Sequence, residues 1–212
     1  MTAQILTRPI ARTAIAVRLH HVALGAVLAL SAFLDFWKLD LNGYANEYYA
    51  GAVRSMTTSW HDFLFASFDP GGLVSVDKPP LALWVEALSA KLFGYSGVTI
   101  LLPEALAGVL AVWLLYLLVA RSFGRVAGLA AALALAVSPV SVAINRDNNP
   151  DALFALLLVA ACWAGARAVE SGRLPFLLGS AVLVGLAAAP GRLPVRVGDP
   201  VGLTSFGARY SW

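Results

Sequence analysis

The residues able to do chemistry gather in three short polar stretches of an otherwise apolar chain. The first holds Asn46, Glu47 and Tyr49. The second runs Ser67-Phe68-Asp69-Pro70-Gly71-Gly72 and continues to Asp77-Lys78-Pro79-Pro80-Leu81. The third is Asn145-Arg146-Asp147-Asn148-Asn149-Pro150-Asp151. A carboxylate in such a set can take the proton of an attacking hydroxyl, and a lysine is a point-charge partner for a lipid phosphate. Each also has a plainer use. Glu47 at a helix start is favoured by the macrodipole, Asp151 can cap the helix that follows it, and Lys78 can snorkel or pair with Asp77.

The elements that position these residues follow from composition. The chain has 212 residues, 59% hydrophobic and 13% charged, with a mean hydropathy of +0.76. Soluble domains carry about 25% charged residues. A water-soluble enzyme, a disordered tail and a nucleic-acid-binding domain are all disfavoured, and no nucleic-acid partner is expected. Apolar runs at 16–37, 98–120, 126–144 and 152–168, with a shorter one at 175–189, predict about five transmembrane helices. The first run ends Phe33-Leu34-Asp35-Phe36-Trp37 without a small-residue cleavage site, so it reads as an uncleaved span.

Arg8, Arg12 and Arg18, the stretch Arg121 to Arg125 and the stretch Arg167 to Arg173 contain Glu170 as their one acid. The loop at 38–97 instead holds six acids against four bases. By the positive-inside rule the N-terminus is cytoplasmic and this loop is outside. The expected fold is an all-α membrane protein with a long outer loop containing amphipathic juxtamembrane helices. One helix is expected over 44–60, and a second over 81–93 lies on the outer membrane surface. The three polar stretches then share one side of the membrane and can line one cavity, joined by Asp35 and Glu104 at the outer ends of spans. Trp37 and Trp60 fit an interfacial belt. The single Cys162 excludes an intrachain disulfide and a multi-cysteine metal site. No compact ligand cluster is present, so neither a metal nor a cofactor is expected.

At these residues the chain resembles a known group. A tyrosine pair after the first span, Asp77-Lys78-Pro79-Pro80-Leu81 before a surface helix, and Arg146 to Asp151 before the fourth span are similar to the multi-span glycosyltransferases of the GT-C type. The resemblance is to the protein O-mannosyltransferase and aminoarabinose-transferase group, particularly its bacterial mannosyltransferase-like branch, over roughly 19–186. It implies an inverting transferase in the bacterial plasma membrane. The sugar comes from a polyprenyl-phosphate donor and goes to a protein, lipid or cell-wall acceptor at the extracytoplasmic face.

Carried over by residue, the resemblance puts the donor phosphate on Lys78 and gives Asp151 a site-shaping role, shared with Asn46, Tyr49 and Asp147. Arg146 is a second phosphate contact by its charge and side. The family's acidic pair at the start of the outer-loop helix falls on Ala45-Asn46, leaving Glu47 one position displaced. Glu47, Asp69 and Asp77 are therefore the candidate bases. A leaving phosphate keeps its charge and needs cations more than a general acid. One carboxylate and one or two cations suffice, unlike the carboxylate pair of glycoside hydrolysis.

Residues 1–189 read as the N-terminal part of such a transferase domain, and 190–212 as an irregular, frameshifted or disordered tail rich in Pro and Gly. The expectation is a truncated copy that works incompletely alone and relies on a partner membrane chain. Two other readings stand beside it. One is a transporter or flippase component, which the clustering of charge at one face rather than mid-membrane disfavours. The other is a non-catalytic scaffold pairing through Gly124 and Gly128.

Overall fold

The computed structural model describes residues 8–72 and 74–188, with side chains from residue 19 onward. The tail at 190–212 and the side chains of Arg8, Arg12 and Arg18 lie outside the described residues. The described chain is helical: α1 (Arg8–Phe36), a 3-10 turn (Leu39–Asn42), α2 (Glu47–Met56), α3 (Trp60–Phe65), α4 (Pro80–Phe93), α5 (Gly97–Phe123), α6 (Arg125–Ala136), α7 (Pro139–Asn145), α8 (Asp151–Ser171) and α9 (Leu174–Ala188). One isolated bridge between Ser67 and Ser75 is the sole β pairing among the described residues. The all-α membrane architecture stands.

The described helices account for three or four of the five spans expected. Leu19–Asn42, α5 and α8 are long and apolar enough to cross a bilayer. The run at 126–144 is broken into α6 and α7, bent by 62°. Pro139 disfavours helical backbone at the residue before it, and Ser138 is extended, with its hydroxyl capping α7. Counting that bent pair as one span gives four, while α9 is a shorter apolar helix of 15 residues.

The outer-loop helix expected over 44–60 also divides. Asn46 caps α2 by accepting from Tyr48 N–H at 3.0 Å. After Met56, Thr57 and Thr58 turn their hydroxyls back onto the Arg54 and Ser55 carbonyls, each at 2.7 Å, which ends the helix. Ser59 then caps α3, accepting from Asp62 N–H at 3.0 Å.

Two apolar cores sit on either end of α5. The one at its start joins Tyr49, Val53, Met56, Leu83, Ala87 and Ile100, and the one toward its end Val112, Tyr116, Ala132 and Ala136. A Cβ at Gly128 would lie 2.6 Å from that of Ala120, so α6 packs directly on α5. This glycine is used within the chain. Pro103 lies inside α5, so the Thr99 carbonyl has no helical N–H four residues on. Ser89 of α4 donates to that carbonyl at 2.5 Å and docks α4 on α5.

Candidate functional site

The third polar stretch is built into the fold by two asparagines. Asn148 is fully buried. Its Oδ1 accepts from the Asn46 N–H at 2.8 Å and its Nδ2 donates to the Asn46 carbonyl at 3.0 Å. This brings the start of α2 beside the loop at 146–150 and accompanies a left-handed Ala45, φ 52°. That backbone costs a non-glycine residue of order 1 kcal/mol. Asn145 donates to Asp35 at 3.2 Å. Its amide occupies the space over Gly108, where a Cβ would lie 2.1 Å from Nδ2.

Arg146 points at α1. Its Nη1 donates to the carbonyls of Leu34 at 2.9 Å and Trp37 at 2.7 Å, and its Nη2 to that of Lys38 at 3.3 Å. Asn42 Nδ2 returns a bond to the Arg146 carbonyl at 2.7 Å. The guanidinium thus serves the carbonyl end of α1, where a cation is favoured.

Asp35 and Glu104 are placed differently from the cavity-lining expectation. Asp35 is 1% exposed and accepts from Ser31 and Asn145. Glu104 is fully buried, and its Oε2 accepts from Leu153 N–H at 3.0 Å. It caps α8 from a neighbouring helix, because Pro150 at the cap position makes no side-chain bond. Asp151, in the first turn, is left facing the site.

Two concavities flank the loop. One is a cavity of about 200 Å³ with Lys78 and Asp151 at its polar part and Leu81, Phe154, Leu157 and Leu186 among its walls. Pro79 and Pro80 fix Lys78 on a rigid corner, since Pro79 has φ −53° and Pro80 opens α4. The other is an open cleft of about 590 Å³ lined by Asn42, Asn46, Glu47, Arg146 and Asp147. Tyr49 stands between the stretches. Burial first, then the carboxylates of Asp77, Asp151 and Asp147, push its phenol above the ordinary value of 10.0. Acids of the second and third stretches thus bear on α2 at Tyr49.

The three candidate bases differ. Asp69 accepts from Val74 N–H at 2.9 Å and Gly71 N–H at 3.0 Å, so its carboxylate organises its own turn. Glu47 and Asp77 are exposed. Glu47 has no hydrogen-bond or ion-pair partner among the described residues and faces the open cleft. Among the described residues no group of three or more ligands could hold a metal ion.

Two residues were missed in the sequence. Asn148 has nothing in its local pattern to distinguish it from Asn149. Glu86 is 0% exposed on α4. Its signal was positional, three residues after Leu83 and adjacent to Ala87 on the buried face of the helix.

Residues 77–189 match the family described as dolichyl-phosphate-mannose-protein mannosyltransferase. The chain is 46% identical over 167 residues to "Putative mannosyltransferase YycA" of Bacillus subtilis (strain 168). It is 41% identical over 165 residues to "Putative mannosyltransferase YkcB" of the same organism. These alignments cover 78% of this chain but 24% and 23% of the relatives. An uncharacterized protein of Aquifex aeolicus (strain VF5) is 30% identical over 136 residues, which is 62% of this chain and 27% of that one. The chain therefore spans about a quarter of the length of the curated relatives it matches. No solved structure matches it.

Proposed function

Because this chain belongs to the dolichyl-phosphate-mannose-protein mannosyltransferase family, we propose that it carries donor- and acceptor-binding residues of a membrane glycosyltransferase. In this reading a sugar moves from a polyprenyl phosphate to a hydroxyl of a protein, lipid or cell-wall acceptor, at the extracytoplasmic face of a bacterial plasma membrane. The observation that carries it is Lys78, a cation fixed at an apolar-walled cavity. A phosphate bearing a long hydrocarbon tail needs that pairing of charge and grease.

Lys78 holds the donor phosphate, and Leu81, Phe154 and Leu157 receive the first part of the lipid. The acceptor enters the open cleft. Its oxygen bonds to the anomeric carbon as the carbon–oxygen bond to phosphate breaks, and the electron pair leaves with the phosphate. Inversion requires the base on the far side of the sugar from that phosphate. Asp77 adjoins Lys78 and sits on the near side, so Glu47 across the loop takes the acceptor proton. Asp147, Asp151 and Tyr49 shape the space between, while Asn46 and Arg146 hold the loop that divides the two concavities. Orientation rests on the Arg-rich connections, with the N-terminus cytoplasmic. The relatives' greater length supports a cavity closed by further spans, from the same protein or a partner membrane chain.

The test is transfer of labelled sugar from polyprenyl-phosphate mannose to membrane acceptors, using membranes containing wild type or Lys78→Ala. Loss of transfer with unchanged membrane insertion supports the reading. Undiminished transfer by Lys78→Ala overturns it.

A further inference from the structure

The α4 helix buries a carboxyl group that the proposed reaction does not use. Glu86 is wholly excluded from solvent, and neither Oε1 nor Oε2 has a hydrogen-bond partner. The groups that face it are acids, Glu104 from α5 and Asp147 from the loop at 146–150. The other elements packed on α4, α2 and α3, bring no charged group to bear on it. Lys91, the base on α4 itself, is turned away, with Nζ 4.7 Å from the centroid of the Trp60 ring. A buried carboxylate without a cation or a donor is strongly disfavoured, and such a group neutralises instead. Burial, reinforced by Glu104 and Asp147, holds the Glu86 carboxyl well above the usual carboxylate range.

The position of this group gives it leverage on the site. Lys78 is two residues ahead of the first residue of α4, across the rigid Pro79 corner. Ser89, three residues beyond Glu86, pins the same helix to the Thr99 carbonyl of α5. Whatever displaces the middle of α4 from α5 therefore displaces Lys78 as well.

We propose that Glu86 is a positioning residue of this site, an uncharged carboxylic acid that lets α4 lie against α5 beside Asp147 and so sets the place of Lys78. Loss of its proton puts an unpaired negative charge into the solvent-free contact beside Glu104 and Asp147 and lifts α4 from the span. The consequence for Lys78 rests on the transferase reading for its activity readout; the packing of α4 does not.

The sign of the pH dependence follows from the raised folded value. Stability contributed by a group held neutral in the fold is complete below the ordinary carboxylate range and is lost as pH rises toward the folded value. The experiment compares wild type, Glu86→Gln and Glu86→Met, each as the whole chain in detergent, by thermal unfolding across about pH 5 to 9. Sugar transfer is followed in parallel. Wild-type unfolding temperature is expected to fall with rising pH relative to both variants, and the alkaline limb of transfer is expected to move up by more than about one pH unit in Glu86→Gln. Transfer by Glu86→Gln at neutral pH stays within about twofold of wild type. Parallel stability profiles for wild type and variants overturn the proposal, and so does failure of both neutral variants to fold. If no protein transfers sugar, the transferase reading fails while the unfolding profiles still decide the role of Glu86.

Discussion

Asn148 and Asn46 are joined by two hydrogen bonds, 2.8 Å and 3.0 Å long, across 102 residues of sequence. The Asn148 amide carries a donor and an acceptor on one plane and so stands in for a peptide group. It pairs with the backbone of Asn46 as one strand residue pairs with another. The pairing sets Glu47, the next residue, against the loop that carries Asp147.

Asn148→Ala removes both partners of the Asn46 backbone at a buried position. The expected cost is about 2 kcal/mol or more, because each buried group left unpaired costs on the order of 1–3 kcal/mol. Denaturant unfolding in detergent measures it, and transfer should fall with it as Glu47 loses its register.

The assignment of the base separates Glu47 from Asp69. Glu47→Gln should lower the transfer rate by about a hundredfold to ten-thousandfold, the usual worth of a general base, with stability unchanged. Asp69→Asn loosens the turn its carboxylate organises and should lower transfer by less than about tenfold. Equal losses in the two variants would move the base away from Glu47.

Arg146 makes its visible bonds to the carbonyls at the end of α1. Arg146→Lys cannot span those carbonyls with one ammonium and should destabilise by about 1–3 kcal/mol. The KM for the donor should then stay within a few-fold of wild type. A large rise in KM without a loss of stability would instead return Arg146 to the phosphate.

Gly108→Ala drives a methyl group into the Asn145 amide, whose Nδ2 would lie 2.1 Å from the new Cβ. Overpacking of this kind costs about 1–3 kcal/mol. The bond from Asn145 to Asp35 should be lost with it, and the thermal midpoint should drop.

Asp62 supplies a pH dependence outside the spans. Burial alone would raise its carboxyl, but hydrogen bonds to Ser59, His61 and Thr58 outweigh this and hold it below the usual carboxylate range. Its stabilising contribution is present above that range and is lost as pH falls through the folded value. Asp62→Asn should therefore be less stable than wild type at neutral pH, with the gap closing in acid.

The helical membrane class was legible because hydropathy sums over long windows, and the Lys78 corner because two prolines leave few conformations. The same summing hid the break at Pro139, since a window of apolar residues scores alike whether straight or bent by 62°. The bonds from Arg146 to the end of α1 were not legible, because they join residues more than 100 positions apart. The burial of Glu86 was not read from the sequence, although its neighbours Leu83 and Ala87 marked the inward face. Local pattern and residue type conflicted there, and the pattern was the better guide.

The bond from Ser89 to the Thr99 carbonyl reaches further than its length. A carbonyl freed by proline in a bilayer has no water to turn to and must find a donor inside the protein. By handing this one to Ser89, α5 makes its own solvation depend on a neighbour lying outside it. The position of α4, and of Lys78 two residues ahead of it, is then fixed from α5.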